Sequence, residues 1–221
     1  MAGADKLCLV LIMVLLSTIS WYFVSAADPD PLQDVCVADH HSPIKVNGYP
    51  CKPTFKASDF HSARLAKPGN TNNYLGSFVT GADVTIVPGL NTQGVAVARA
   101  DFAPGGVNEP HTHPRATELF HCLYGTILAG FITTDNRFVH VSLKPGEIFV
   151  FPRGLVHFNM NIGKGPAAAL AFFNSQLPGL QSIAPSLFNA TPPVPDYALK
   201  KAFQISTEEV EKIKSKFAPQ W

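Results

Sequence analysis

The chain has 221 residues, of which 46% are hydrophobic and 15% are charged, and its formal net charge is +1. This length favours one sizeable domain over two. The near-neutral charge, without a stripe of Lys and Arg, argues against a nucleic-acid-binding surface. Pro and Gly are frequent but spread along the chain, which is typical of a globular protein rather than a disordered one.

Residues 1–26 have the order of features found in a secretory signal peptide. Lys6 precedes the apolar run 7–16, and small residues follow at 25–27. The alternative is a membrane anchor, which needs roughly 20 predominantly apolar residues. Hydroxyl side chains between 17 and 20 interrupt the stretch. We therefore predict a secreted mature chain that starts near Ala27 or Asp28 and has no membrane span.

The cysteines fit an extracellular protein. Cys8 leaves with the signal peptide, whereas Cys36 and Cys51 stay near the mature N-terminus. A Cys36–Cys51 disulfide is expected in an oxidising compartment. It would close a loop of about 16 residues, worth roughly 3 kcal/mol in the chain-entropy model. Cys122 lies far away in an apolar run and is predicted to be a small buried residue with a free thiol.

The middle of the chain predicts an all-β domain. Residues 27–75 are rich in turn formers and predict an irregular arm that carries the disulfide. Between 76 and 190, short β-rich runs alternate with turns, as in an antiparallel sandwich or barrel. These runs are 84–87, 95–99, 126–132, 138–143, 148–151 and 168–173.

Residues 191–221 predict a helical extension. A short helix is expected at 196–203, and a second one follows a capping box formed by Ser206 and Glu209. On that second helix the apolar residues Val210, Ile213 and Phe217 share one face. This face could contact another subunit or pack on the same chain, and the pattern does not distinguish the two.

Three histidines and one carboxylate have the spacing of a metal site. His111 and His113 are two residues apart, which places them on one face of a strand. Glu118 follows after a turn, and His157 follows the turn formers Pro152-Arg153-Gly154. Neutral imidazoles with a carboxylate suit a divalent transition metal. An octahedral ion such as Mn²⁺ would keep about two coordination positions for water or substrate.

The other histidines are not predicted to be ligands. In an unbroken strand that starts at Glu118, His121 falls on the opposite face, so it is excluded unless a bulge changes the alternation. The remaining ones are expected to be surface or hydrogen-bonded residues: His40, His41, His61 and His140.

The residues around these ligands form two spaced patterns. The first runs from Gly105 through His111, His113 and Glu118 to Gly125, and the second from Gly146 through Pro152, Gly154 and His157 to Asn161. Both resemble the two motifs of the cupin superfamily. Longer segments are similar to germins and germin-like proteins of plants, and this match covers essentially the whole mature chain: 33–39, 47–52, 110–118, 151–158 and 214–218.

The resemblance to germin-like proteins implies several further properties. They are a cupin-type jelly-roll β-barrel, one manganese per chain on the four ligands, and a location in the plant cell wall or apoplast. It also implies a homohexamer, built as a trimer of dimers and clasped by the C-terminal helices, with a small-anion substrate and cell-wall matrix as a further partner. Asn189-Ala190-Thr191 is the N-glycosylation sequon, directly followed by Pro192.

Two positions depart from the germin pattern. Germins proper are oxalate oxidases in which two asparagines near the metal are associated with oxalate. Asn108 corresponds to one of them, whereas the other position is Ala98 in this chain. Glu109 stands where germins usually carry proline. Its carboxylate would repel oxalate if it faces the metal, or would have little effect if it points to solvent.

Several functions therefore compete. The leading one is a manganese-dependent superoxide dismutase with a role in defence or development, and oxalate oxidation is the enzymatic alternative. The non-catalytic alternative is a wall protein or receptor, for example an auxin-binding protein, that uses the same metal structurally. Nucleotide-sugar phosphodiesterase activity is a remote third enzymatic possibility. The sequence does not separate them, because the metal ligands are common to all.

Overall fold

A computed structural model describes residues 36–44 and 48–217 of the chain. The predicted signal peptide, the start of the arm and the last four residues lie outside the described residues. Within the described part, no helix combines the length and the apolar character that crossing a bilayer requires.

The described chain forms two five-stranded antiparallel sheets, in the orders β1-β2-β9-β4-β7 and β10-β3-β8-β5-β6. The strands are β1 Ser77–Ala82, β2 Ala96–Phe102, β3 Val107–Thr112, β4 Glu118–Tyr124, β5 Ile127–Ile132, β6 Phe138–Leu143, β7 Ile148–Phe151, β8 His157–Asn161, β9 Ala167–Phe173 and β10 Gln181–Ser182. One buried cluster combines Phe102 and Phe120 of the first sheet with Ile127 and Leu143 of the second. The two sheets therefore pack face to face, and the all-β prediction is confirmed.

Small side chains line part of the space between the sheets. β2 and β9 pair in register, and both point alanines towards the interior. These residues are Ala96, Ala98, Ala100, Ala167, Ala169 and Ala171. Alanine side chains are small, so this part of the barrel interior stays open. Elsewhere in the interior, phenylalanine side chains fill the corresponding space.

Five of the six predicted β-rich runs coincide with strands, but the first one is wrong. Residues 84–87 form a turn after β1 rather than a strand. The Asp83 carboxylate accepts a hydrogen bond from the Thr85 amide at 2.8 Å, which closes a local turn. A 3-10 turn, Pro88–Leu90, follows directly. The β-branched composition of this run is therefore outweighed by its flanking turn residues.

The N-terminal arm is tied to the barrel near its start. Cys36 and Cys51 form the predicted disulfide, with Cα atoms 4.7 Å apart. The Ala38 amide donates to the Pro88 carbonyl at 2.9 Å, which links the arm to the turn after β1. Among the cysteines that the structure describes, Cys122 is free, and it is completely buried in the barrel core.

Three α-helices follow the barrel in the described chain: α1 Ile183–Phe188, α2 Asp196–Phe203 and α3 Thr207–Phe217. The last two confirm the predicted C-terminal helices, whereas α1 was not predicted. The capping box is present, since the Ser206 amide donates to Glu209 Oε2 at 2.7 Å and the Glu209 amide donates to Ser206 Oγ at 3.2 Å. Val210 is buried in a small cluster with Phe188 and Leu199. The apolar face of α3 thus packs, at least at Val210, on its own chain.

Candidate metal centre

The fold brings four side chains, three on strands and one directly after a strand, to one point inside the barrel. His111 lies near the end of β3, and His113 follows that strand directly. Glu118 and His157 are the first residues of β4 and β8. All four side chains are buried, and their ligand atoms lie within 4.8 Å of one another. The four sequence-predicted residues therefore form a single cluster.

Strand pairing explains this convergence. His111 is directly opposite His157 in the β3–β8 pair, after a register shift that follows Asn108. The turn before His157 is hydrogen-bonded to the segment that carries His111 and His113, because the Gly154 amide donates to the His113 carbonyl at 3.3 Å. Gly154 has a φ of 76°, which suits glycine. The glycine of the second motif thus helps to deliver His157 to the cluster.

Each histidine has its outer ring nitrogen fixed by a backbone carbonyl. Nδ1 of His111 contacts the Glu109 carbonyl at 2.7 Å, and Nδ1 of His157 contacts the Leu155 carbonyl at 2.8 Å. Nδ1 of His113 contacts the carbonyl of Gly179 at 2.5 Å. A carbonyl only accepts, so each Nδ1 carries the proton and each Nε2 presents a lone pair.

The distances from the Nε2 atoms of His113 and His157 to the Glu118 carboxylate are those expected between two ligands of one metal ion. Glu118 Oε2 is 3.1 Å from Nε2 of both His113 and His157. Two ligands bound at about 2.0–2.2 Å and at right angles are about 3 Å apart. Three imidazole nitrogens with one carboxylate oxygen are also a donor set that first-row divalent metals accept. The residues present therefore fit a bound metal ion.

Protonation at neutral pH favours metal binding. Burial alone would raise the pKa of the Glu118 carboxyl, but the contacts of its Oε2 with the His113 and His157 rings outweigh burial and lower this pKa to about 2. Burial, together with the nearby His157, lowers the pKa of His111 to about 4. Glu118 is therefore charged and His111 neutral near pH 7, which are the forms that bind a metal.

A cavity of about 290 Å³ opens beside the cluster. Three ligands, His111, His113 and Glu118, form part of its wall. The rest of the lining is mainly apolar and includes Val79, Ala98, Phe120, Phe173 and Leu180, with Asn108 and Asp83 as polar contributions. A small molecule could therefore reach the metal position from this side.

Comparison with known proteins identifies the family. The sequence profile of the family described as Cupin matches residues 63–211. Germin-like protein subfamily 2 member 1 of Arabidopsis thaliana is 57% identical over 94% of this chain and 96% of its own length. This chain belongs to the germin-like proteins of the cupin family.

Two further similarities bear on function. The rhicadhesin receptor of Pisum sativum is 60% identical to this germin-like protein, over 86% of this chain and 88% of the receptor. A solved structure of recombinant oxalate oxidase in complex with glycolate superposes with a TM-score of 0.84 at 45% identity, covering 87% of this chain and 98% of that chain. The cupin fold is thereby shown for this germin-like chain.

The two positions that correspond to the germin asparagines both reach the cavity. Ala98 of β2 and Asn108 of β3 line it, on the same side of the barrel as the ligands. Glu109 is not part of the cavity wall. Its contribution to the site is its backbone carbonyl, which accepts a hydrogen bond from His111. Direct repulsion of an anion by the Glu109 carboxylate is therefore not supported.

Sequence reasoning missed Asn159. Asn108 Nδ2 donates to Asn159 Oδ1 at 3.4 Å, which holds the Asn108 amide at the cavity wall. Asn159 is fully buried, and its Nδ2 has no hydrogen-bond partner in the described structure. Its position two residues after His157 in β8 was the available signal, since residues two apart in a strand share a face.

His121 stays outside the metal cluster, as predicted. It lies on β4, three residues after Glu118, and is partly exposed. The irregularity in the pairing of β4 with β9 falls between Cys122 and Tyr124, beyond His121. The strand alternation between Glu118 and His121 is therefore unbroken, and the two side chains point to opposite faces.

Proposed function

We propose that this germin-like protein is a secreted, manganese-binding oxidoreductase of the plant cell wall or apoplast that dismutates superoxide. The observation that carries the proposal is a complete, pre-oriented ligand set that opens on a cavity in which Ala98 occupies one of the two germin asparagine positions. In this reaction two superoxide anions and two protons give one dioxygen and one hydrogen peroxide.

The residues of the site suit a small anion. A manganese ion bound here would supply the one-electron redox chemistry. A divalent ion with one carboxylate, Glu118, and three neutral imidazoles leaves a net charge of 2 − 1 = +1, which attracts an anion. The Asn108 amide lies in the cavity wall and can donate to a bound oxygen. The apolar lining reduces competition from water.

Oxalate oxidation is the alternative enzymatic function. It is supported by the similarity to solved oxalate oxidases and by Asn108. The Ala98 side chain argues against it, because alanine cannot donate a hydrogen bond to the oxalate dianion. A hydrogen bond to a charged group is worth roughly 1.5–3 kcal/mol. Its loss would reduce oxalate turnover on the order of 10- to 100-fold. Dismutation of superoxide requires mainly an accessible redox metal.

A non-catalytic role remains the third candidate. The rhicadhesin receptor, at 60% identity, carries a receptor function in its name. A wall protein, receptor or auxin-binding protein would use the same four ligands to hold a structural metal. This candidate predicts bound manganese without turnover of either anion.

The deciding experiment measures both activities on one sample of the purified mature protein. We expect superoxide dismutation by the manganese-loaded protein, loss of that activity on chelation and recovery on reloading, with little or no oxalate oxidation. Equimolar free manganese controls for dismutation by the ion itself. If the fully loaded protein shows neither activity, the superoxide proposal fails and the non-catalytic function takes the lead. Brisk oxalate oxidation would instead favour the alternative enzyme.

Secretion is part of the proposal. We propose that residues 1–26 are a cleaved signal peptide, followed by the arm 27–75, the barrel 76–190 and the helical extension 191–221. Asn189 is exposed at the end of α1 and is therefore accessible to glycosylation. Mass spectrometry of the protein secreted by plant cells should give an N-terminus near Ala27 and a mass that falls on deglycosylation. An intact N-terminus would contradict the secretion proposal.

We also propose a homohexamer, arranged as a trimer of dimers. Apolar side chains lie side by side on the outer surface of the first sheet, where Leu119 is directly opposite Val150 on β7 and Phe172 on β9. All three are exposed, as the core of a subunit contact would be before assembly. Light scattering should give about six times the mature monomer mass of about 21 kDa, estimated by removing the signal segment. A stable monomer at micromolar concentration would refute this part.

A further inference from the structure

A short segment after β9 forms one wall of the cavity and also accepts a hydrogen bond from one of the four cluster residues, His113. We call residues 177–180 the strap; they are Leu177, Pro178, Gly179 and Leu180, and all four line the cavity. We propose that Arg115 is a positioning residue, which holds the strap in place and thereby fixes the ring of His113.

Consecutive carbonyls of the strap accept hydrogen bonds from the segment that carries His113. The guanidinium Nε of Arg115 donates to the Leu177 carbonyl at 2.7 Å, and the Arg115 amide donates to the Pro178 carbonyl at 3.2 Å. The next carbonyl, that of Gly179, accepts from Nδ1 of His113. Arg115 therefore secures the two residues immediately before the one that orients the ligand.

His113 depends on this arrangement more than the other two histidines do. The carbonyls that accept from His111 and His157 belong to Glu109 and Leu155, each two residues earlier in the same chain segment. The partner of His113 is 66 residues away. Its orientation is therefore set by the docking of the strap rather than by local backbone geometry.

The guanidinium also packs tightly against the strap. Gly179 has a φ of 72°, and a Cβ built on it would lie 2.7 Å from an Nη atom of Arg115. The positive φ favours glycine at this position, and a Cβ there would push the end of the Arg115 side chain away from the strap. The flanks of the strap have other anchors, since the Thr117 amide donates to Asn174 Oδ1 at 2.8 Å and β10 pairs with β3. Loss of Arg115 should thus loosen the strap without unfolding the barrel.

The inference rests on the proposed metal site but not on the reaction, so it is tested by metal affinity and by structure. Arg115→Met keeps an unbranched side chain that reaches as far as the position of Nε and removes the Nε–H donor. Arg115→Gln removes the charge but places an N–H donor at the position of Nε. Arg137→Met is the matched control, because Arg137 lies in the β5–β6 connection and its described hydrogen bonds are those of its backbone.

We expect Arg115→Met to weaken manganese binding about tenfold, at the lower end of the range for residues that orient a ligand. Its manganese electron paramagnetic resonance spectrum should change, while Arg115→Gln and Arg137→Met should resemble wild type. Wild-type affinity and spectrum in Arg115→Met would overturn the proposal. A Gln variant as weak as the Met variant would also overturn it, because charge rather than the Nε–H bond would then be responsible.

Crystal structures of the metal-free proteins provide a second readout that does not require metal binding. In Arg115→Met the distance from His113 Nδ1 to the Gly179 oxygen should exceed hydrogen-bonding range, about 3.5 Å. An unchanged distance would overturn the role of Arg115. If wild type binds no manganese, the proposed function fails, and this distance still decides the positioning proposal.

Discussion

The two ends of the cavity differ in how strongly they are constrained. At the ligand end, every histidine is buried and has its Nδ1 held by a carbonyl, and Glu118 contacts two of the three rings. In the rest of the cavity wall, which we call the outer end, the Asn108 side chain donates one described hydrogen bond, of 3.4 Å, and Val79 and Leu180 are 42% and 64% exposed. The metal-binding geometry is thus built into the fold, whereas under the proposed function the choice of anion would depend on a few replaceable side chains.

The largest effect is expected at the ligand end. His157→Ala should strip most of the manganese, because it removes a ligand and also leaves Glu118 without one of its partners. The loss should exceed the 10- to 100-fold typical of residues that only orient a ligand. Elemental analysis after dialysis checks this. The matched control is His121→Ala, on the same strand as Glu118, which should keep its metal.

A full complement of metal in His157→Ala would break the assignment of the ligand end. Metal loss in His121→Ala would show that the strand alternation used to exclude that histidine is wrong.

Acid should lower the free energy of unfolding of the metal-free protein, because buried groups at the ligand end have shifted pKa values. The folded-state pKa of His111, about 4, is below its ordinary value of 6.5, chiefly because of burial. Between these values the unfolded chain binds a proton that the folded chain does not, so stability falls as the pH falls. The full difference corresponds to about 3 kcal/mol. Glu118, with a pKa lowered to about 2, acts in the same direction below pH 4.5.

Urea unfolding of the metal-free protein at pH 7, 5.5 and 4.5 measures this loss. His111→Gln should show a smaller decrease over the same range, because its side chain does not titrate. Equal losses in the two proteins would mean that burial of His111 does not control the acid response.

An intermediate effect is expected at the outer end. Ala98→Asn should raise oxalate oxidation by roughly 10- to 100-fold, because the amide supplies a donor to the oxalate dianion. Superoxide dismutation should change much less. Ala98→Leu is the matched control, since it adds similar bulk without an amide. If Ala98→Leu raised oxalate turnover equally, the filling of the cavity rather than the hydrogen bond would explain the change.

The smallest effect is expected at the mouth. Leu180→Ser changes a largely exposed side chain, so thermal unfolding should shift by the equivalent of less than about 0.5 kcal/mol. Manganese content should be unchanged. A loss of metal in this variant would show that the outer end is coupled to the ligands more strongly than the exposure of Leu180 suggests.

The sequence predicted those features that local spacing determines. The four ligands stand in spaced patterns with glycines and prolines, and the capping box at Ser206 is a four-residue signal. The disulfide followed from two nearby cysteines and the predicted secretion of the chain. In each case a short segment of chain carries the information.

What the sequence did not reveal depends on distant parts of the chain. The Gly179 carbonyl accepts from His113, 66 residues away, and no local pattern marks it. Asn159 stands two residues after His157, but its contact with Asn108 spans 51 residues. Strand β10 has two residues and exists because it pairs with β3. The error at 84–87 has the opposite cause, since a local Asp83 turn outweighs the β propensity of the run.

The buried Cys122 has a consequence for the lifetime of the protein. The proposed reaction releases hydrogen peroxide inside a barrel that also contains a thiol. The form of a cysteine that attacks peroxide is the thiolate, and burial together with the nearby Glu147 raises the pKa of Cys122, so the thiol stays protonated. Its complete burial also denies the oxidant access. A catalyst built in this way can generate an oxidant over many turnovers without inactivating itself at its own cysteine.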